Sequence, residues 1–141
     1  MSASVSYILA TKDRPDEARK FLPNLQELKT KNDEVIVVDA SDEPYSSEIF
    51  RSVADRVLEG ADYSIAHGLN RGIMVAEGDY YKLLMDDDYF VPEGVHQAVE
   101  IMAEYDIDAM QCGGKRWPAG DVKVRDEIDR NPRYDCLLDG F

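Results

Sequence analysis

Basic charge is what this chain has least of. It carries 16 Lys and Arg against 29 Asp and Glu, a formal net charge of −13 over 141 residues. Nucleic acids are held by patches of Lys and Arg on the phosphate backbone, so the balance argues against that partner class. Simple electrostatic attachment to anionic lipid is disfavoured for the same reason. A negative balance suits solubility and the binding of cations. Cysteine is nearly absent. Cys112 and Cys136 make neither a metal-ligand spacing nor a disulfide framework, and read as reduced thiols. His67 and His96, the two histidines, lack ligand spacing too. No apolar run approaches the roughly 20 residues needed to span a bilayer. Met1-Ser2-Ala3-Ser4 offers no basic region leading into an apolar signal core. The expectation is a cytoplasmic protein with no membrane span and no nucleic-acid partner.

What is present suffices for one domain. A chain of this length can bury a core, and a hydrophobic share of 44% is ordinary for a globular protein. The clearest strand is Glu34-Val35-Ile36-Val37-Val38-Asp39. Four consecutive β-branched apolar residues suggest burial on both faces, as in a parallel sheet. Further strands are expected at 5–9, 56–59, 80–85 and 109–112, and helices at 15–31, 46–53, 65–76 and 92–105. In the first helix, Pro15 suits the opening turn, and Asp16 and Glu17 complement the helix dipole. Ala18, Phe21, Leu22, Leu25 and Leu28 recur at helical spacing. Pro23 lies inside that pattern and is expected to kink or split the helix. Gly78 is a fitting terminator for the helix that holds Gly68 and Gly72.

Alternating strands and helices predict an α/β fold, a Rossmann-like doubly wound, mainly parallel sheet with helices on both faces. The periodicity fades after Gly113. The expected organisation is an α/β domain over residues 1–112 and an irregular tail over 113–141. Apolar Leu137, Leu138 and Phe141 at the end of that tail favour self-association into a homo-oligomer.

One run carries more information than any other: Tyr80-Tyr81-Lys82-Leu83-Leu84-Met85-Asp86-Asp87-Asp88-Tyr89-Phe90-Val91-Pro92. A short apolar strand runs into three carboxylates. Such acids repel one another unless something positive neutralises them. Hard divalent cations do so while bridging protein carboxylates to substrate phosphates. The Asp-x-Asp spacing alone has no value. With 18 Asp in 141 residues, chance produces it about twice, and it occurs twice, at Asp86/Asp88 and Asp106/Asp108. Position gives it weight, because open α/β sheets bind ligands at the carboxyl ends of their strands.

Four loops fall at such ends or at helix starts nearby. They hold Thr11, Asp13 and Arg14; Asp39, Ser41 and Asp42; Asn70 and Arg71; and Asp86, Asp87 and Asp88. An aspartate after a strand can accept hydrogen bonds from a base or a ribose. Arg71 can make charge-assisted bonds to a diphosphate. The acid triplet can hold Mg²⁺ or Mn²⁺ on that diphosphate. These are the parts of a nucleotide-diphosphate site.

Four stretches in order carry a resemblance. They are Val5-Ser6-Tyr7-Ile8-Leu9-Ala10-Thr11-Lys12-Asp13-Arg14-Pro15, then Glu34-Val35-Ile36-Val37-Val38-Asp39-Ala40-Ser41-Asp42, then Gly68-Leu69-Asn70-Arg71-Gly72-Ile73 with Ala76-Glu77-Gly78-Asp79-Tyr80, and finally Leu84-Met85-Asp86-Asp87-Asp88 with Pro92. Over about residues 4–105 the chain resembles the N-terminal, nucleotide-sugar-binding part of a family 2, GT-A-type glycosyltransferase, truncated relative to that family. The resemblance implies transfer of a sugar from a nucleotide-diphosphate sugar, UDP-linked, to an acceptor hydroxyl, with metal assistance and inversion. It places Thr11 beside the nucleoside, Asp39 on the base, Arg71 near the diphosphate, Asp86 near the ribose or sugar, Asp87 on the metal and Asp88 behind it. Asp13, Arg14, Ser41 and Asn70 join the nucleotide-sugar set. The acceptor, whether saccharide, lipid or protein, is not named by the residues. Nor is the catalytic base; Asp121, Asp126, Glu127, Asp129, Asp135 and Asp139 are candidates by type alone.

Other classes fit less well. A module that holds a nucleotide sugar without transferring it shares every motif above. A nucleotidyltransferase should carry a Gly-rich loop after the first strand, and Thr11-Lys12-Asp13-Arg14-Pro15 has no glycine. A receiver-like phosphoacceptor domain should cluster acids after its first strand as well.

Overall fold

The computed structural model of the chain describes residues 2–62 and 64–111. Strands and helices alternate through them: β1 (Val5–Thr11), α1 (Pro15–Leu28), β2 (Glu34–Asp39), α2 (Ser46–Ile49), β3 (Arg56–Glu59), α3 (Ile65–Val75), β4 (Tyr80–Met85) and α4 (Pro92–Tyr105). The chain divides into two compact units, the first being Met1–Pro92 and the second beginning at Glu93. The first unit holds the whole described sheet and the loops treated below.

All strand pairs are parallel, and the order is β3-β2-β1-β4. The chain therefore winds outward from β1 through β2 to β3, then returns to lay β4 on the other side of β1. The winding direction reverses between β1 and β4, and such a reversal opens a crevice beyond the carboxyl ends of the two strands. The apolar runs explain why β1 and β2 are central. Every residue of β1 is buried, as are the last five of β2.

Side-chain alternation along β1 shows that both faces are covered. Tyr7 and Ile8 are neighbours and so point to opposite sides. The Tyr7 hydroxyl donates to the Leu28 carbonyl of α1 at 3.2 Å. Ile8 lies against Gly72 of α3. Helices α1 and α3 thus flank opposite faces, as the expected doubly wound sheet requires. Helix α1 buries Ala18, Phe21, Asn24, Leu25 and Leu28.

Several expectations need adjustment. Strand β1 runs two residues past 9, to Thr11, because Thr11 stays in register beside Asp39. Pro23 does not split α1, which continues from Pro15 to Leu28. Pro23 and Arg19 both sit on the exposed face, where water can satisfy the Arg19 carbonyl that the proline leaves without a donor. Helix α2 spans only Ser46–Ile49, and residues 51–53 form turns. The strand expected at 109–112 is not formed at 109–111; Ala109 and Gln111 are exposed there, whereas a buried parallel strand would enclose them. Residue 112 and the expected tail, with its oligomerising residues, lie outside the described residues.

Gly72 lets α3 approach the sheet. A Cβ there would run into Ile8 Cγ2 and come within 3.5 Å of Val38 Cγ2. Ile8 is β-branched and fully buried, so it cannot swing aside. Gly72→Ala gains about 1 kcal/mol of helix propensity but overpacks this contact, which costs about 1–3 kcal/mol. We expect a net loss of stability in urea unfolding. A variant more stable than the wild type would contradict the close approach.

Candidate functional site

Three strand tips stand side by side. Thr11 ends β1 and is in register with Asp39, which ends β2. On the other side, Ala10 is in register with Met85, the last residue of β4. The first acid of the triplet, Asp86, therefore emerges beside Thr11, at the point where the winding reverses.

Asp86 is buried, with its side chain 2% exposed. The Thr11 hydroxyl donates to Asp86 Oδ2 at 2.8 Å. Arg14 Nη1 lies 3.3 Å from Asp86 Oδ1, and Arg14 Nη2 lies 3.6 Å from Asp87 Oδ2. One guanidinium thus spans two members of the triplet. Burial pushes the Asp86 carboxyl above its ordinary pKa; Thr11 and Arg14 pull it down, and the Asp87 charge adds to the rise. Burial also raises Asp88, helped by Asp87 and opposed by Lys82. Asp87 has its side chain 49% exposed.

Asp39 is fully buried, yet its environment has the opposite effect. Oδ1 accepts from the Ser41 N–H at 3.0 Å. Oδ2 accepts from the Tyr45 and Ser46 N–H groups, each at 3.0 Å, and from the Ser46 hydroxyl at 2.7 Å. Burial alone would raise its pKa, but the bonds from Ser41, Ser46 and Tyr45 outweigh it and hold the carboxyl below the usual range. Tyr45, at the start of α2, has no side-chain cap of its own. The Asp39 carboxylate supplies the missing acceptor from the strand tip.

The loops after β1 and β2 are tied together. The Asp13 N–H donates to Ser41 Oγ at 2.7 Å, and the Asp42 N–H donates to Asp13 Oδ1 at 3.3 Å. Asp13 has φ 52°, a left-handed conformation that aspartate tolerates better than most residues. Beyond the triplet, Asn24 of α1 clamps Phe90: its Nδ2 donates to the Phe90 carbonyl at 2.7 Å, and its Oδ1 accepts from the Phe90 N–H at 2.8 Å. Phe21 packs edge-on against the Phe90 ring at 6.2 Å, and Lys82 Nζ sits 4.6 Å from its centroid. The acid turn is pinned on both sides.

Among the expected site residues, Thr11, Asp13, Arg14, Asp39, Ser41, Asp86 and Asp87 form this connected set. Arg71 is engaged elsewhere, in the loop between β3 and α3. It bonds the Glu59 carbonyl at 2.8 Å, the Gly60 carbonyl at 3.3 Å and Asp62 Oδ1 at 3.1 Å. Asn70 is exposed on α3. Among the described residues, no three His, Cys, Asp or Glu side chains converge to hold a cation by themselves. The tail acids named as candidate bases lie outside the described residues. Two contributors went unread in the sequence. Tyr45 is a lone aromatic between Pro44 and Ser46, and Asn24 is a polar residue at a position on the apolar face of α1. Each is a detectable anomaly.

A family model described as glycosyl transferase family 2 matches residues 6–135. No curated protein sequence matches the chain. Among solved structures, S. aureus TarS 1-349 is similar with a TM-score of 0.65 at 20% identity, covering 84% of this chain and 38% of that one. Its complex with UDP-GlcNAc gives 0.65 at 21%, covering 84% and 37%. The mannosyltransferase PcManGT from Pyrobaculum calidifontis, in complex with GDP-Man and Mn²⁺, gives 0.64 at 21%, covering 73% and 33%. Identities this low speak to the fold, and the fold is the expected GT-A type. The chain spans 33% to 38% of the length of these three structures. No helix among the described residues is long and apolar enough to cross a membrane.

The two buried carboxylates should respond oppositely to neutralisation. Asp39 has a lowered folded pKa, so it stabilises the fold above its unfolded value, and that contribution is lost as pH falls through the folded value. Asp39→Asn keeps one oxygen but turns the other acceptor into an N–H donor facing the Ser41 N–H or the Tyr45 and Ser46 donors, and with the loss of charge should cost about 2–4 kcal/mol near pH 7. Asp86 has a raised folded pKa, so its ionised form weakens the fold at neutral pH, and the penalty disappears as pH falls below the unfolded value. Asp86→Asn should therefore equal or exceed the wild-type melting temperature at pH 7 and lose that advantage toward pH 4. Thermal unfolding of both variants between pH 4 and pH 8 checks the pair.

Proposed function

The chain belongs to glycosyl transferase family 2, and from that premise we propose that its first unit binds the nucleotide-diphosphate sugar that a family member uses as donor. The observation that carries the reading is the buried Asp86, held by Thr11 and Arg14 at the reversal of the sheet, with half-exposed Asp87 beside it. The reaction is displacement at the anomeric carbon. An acceptor oxygen bonds to that carbon as the bond to the diphosphate oxygen breaks, and the hydroxyl proton passes to a base outside the described residues. Inversion follows if that single displacement is the whole reaction.

The donor set suits Mn²⁺ or Mg²⁺. Such hard cations take carboxylate oxygens and complete their shells with phosphate and water, so the lack of a three-ligand protein cage is no obstacle. Asp87 is the accessible ligand and Asp88 stands next to it; Asp86 fixes the turn that presents both. When bound, the cation would neutralise charge on the departing diphosphate. Arg14 shares that task. Its Nη2, 3.6 Å from Asp87 Oδ2, would turn to a phosphate oxygen if Asp87 were engaged by the cation. Arg71 would serve the diphosphate only after leaving Asp62. The similar structures hold donors with different bases, UDP-GlcNAc in one and GDP-Man in the other. We favour UDP, with Asp39 selecting the base. Its Oδ1 accepts one bond, so one acceptor direction is left for a uracil N–H if the Ser41 turn yields.

UDP should bind at least tenfold more tightly with Mn²⁺ than in EDTA, by calorimetry. Asp87→Ala should bring the two affinities together while leaving the melting temperature within a few degrees of wild type, since Asp87 is half-exposed. Equal UDP affinity with and without the cation in the wild type would count against the metal-assisted reading. Full discrimination between UDP and GDP by a folded Asp39→Asn chain would place the base contact on other residues.

A further inference from the structure

Both partners of Asp86 are bonded to the same phenolic oxygen, that of Tyr45. The Arg14 backbone N–H donates to Tyr45 Oη at 3.0 Å. Tyr45 Oη and Thr11 Oγ1 are 2.6 Å apart. The direction of that bond follows from its neighbours. Thr11 has one hydroxyl proton and gives it to Asp86 Oδ2, so the phenol must donate to Thr11. The chain of bonds therefore runs from the Arg14 N–H to Tyr45, from Tyr45 to Thr11 and from Thr11 to Asp86. Each hydroxyl polarises the next, which strengthens the last bond. The Arg14 side chain closes the circuit on Asp86 Oδ1. Tyr45 is itself held at its backbone by Asp39, so the tip of β2 is coupled to the tip of β4 across β1.

We propose that Tyr45 is a positioning residue for the donor site: it aims Thr11 at Asp86 and fixes the start of α1 so that the Arg14 guanidinium stays across Asp86 and Asp87. This rests on the donor-binding reading above for its functional consequence, though not for the geometry. Sequence motifs do not point to Tyr45, which is half-buried and not one of the residues of the buried core. Of its side chain, the network uses the hydroxyl.

Tyr45→Phe removes that hydroxyl and keeps the ring. Two measurements decide the matter. The first needs no ligand. In nitrogen-15 NMR of the free chain, the Arg14 guanidinium Nη–H groups, which lie against Asp86 and Asp87, should exchange more slowly in the wild type than in Tyr45→Phe. The second is UDP calorimetry in Mn²⁺, where Tyr45→Phe should weaken binding roughly three- to tenfold, the scale of one or two hydrogen bonds. A positioning role predicts that the effect vanishes when Arg14→Gln is already present; a merely structural role predicts that the two losses add and that the melting temperature falls with them. Unchanged Arg14 protection, or additive losses, would overturn the proposal. If the wild type fails to bind UDP, the donor-binding reading fails, and the Arg14 exchange comparison alone then decides what Tyr45 does.

Discussion

Two carboxylates are buried at neighbouring strand tips, and the rest of the site depends on how each is compensated. A buried carboxylate costs several kcal/mol unless its charge is met by donors or by an opposite charge. Asp39 is met by four donors from its own loop. Asp86 is met in part, by one hydroxyl and one arm of a partly exposed guanidinium. The same residue type therefore moves in opposite directions, Asp39 below its usual pKa and Asp86 above it. A carboxylate met this well steadies its own loop. An under-compensated one, beside a half-exposed second acid, is what a cation or a phosphate-bearing ligand can improve. Perturbed carboxyls in such a setting commonly mark function.

The topology places that contrast where it can be used. Three parallel strands end together because β1, β2 and β4 share one register, and the change of winding direction leaves no crossover helix over the gap between β1 and β4. Helix α3 can seat itself against β1 and β2 only because Gly72 leaves room for Ile8 and Val38. The amphipathic α1 does more than cover the opposite face. Its first residues follow directly from Arg14, and its buried Asn24 grips Phe90 beyond the acids. One helix thus holds the acid turn by a charge at its start and by an amide in its middle.

Much of this was legible in the residues. The Val35 to Val38 run announced a central parallel strand, and the passage from Leu84 into Asp86 announced a strand tip loaded with acid. The ordered motifs from Thr11 to Asp88 pointed to the family that the residues 6–135 match bears out. What was not legible depended on three-dimensional neighbours. Pro23 looked like a helix breaker, but nothing in the pattern showed that its orphaned carbonyl would face water. Ala109 to Gln111 looked strand-like by composition, while strand formation requires a buried slot beside the sheet. Tyr45 acts through a hydroxyl that reaches two other loops, and no local periodicity encodes such a reach. The bonds that hold Arg71, to the Glu59 and Gly60 carbonyls and to Asp62, belong to a loop whose backbone acceptors carry no side-chain signature.

The central claim is that the tips of β1, β2 and β4 form one donor site. The most direct measurement is amide chemical-shift mapping of the chain titrated with UDP in Mg²⁺, a diamagnetic cation that leaves nearby signals visible. The account predicts the largest shifts at Thr11 to Arg14, Asp39 to Tyr45 and Asp86 to Asp88, all following one binding curve. Shifts centred on any other part of the chain, or separate curves for the three tips, would contradict it.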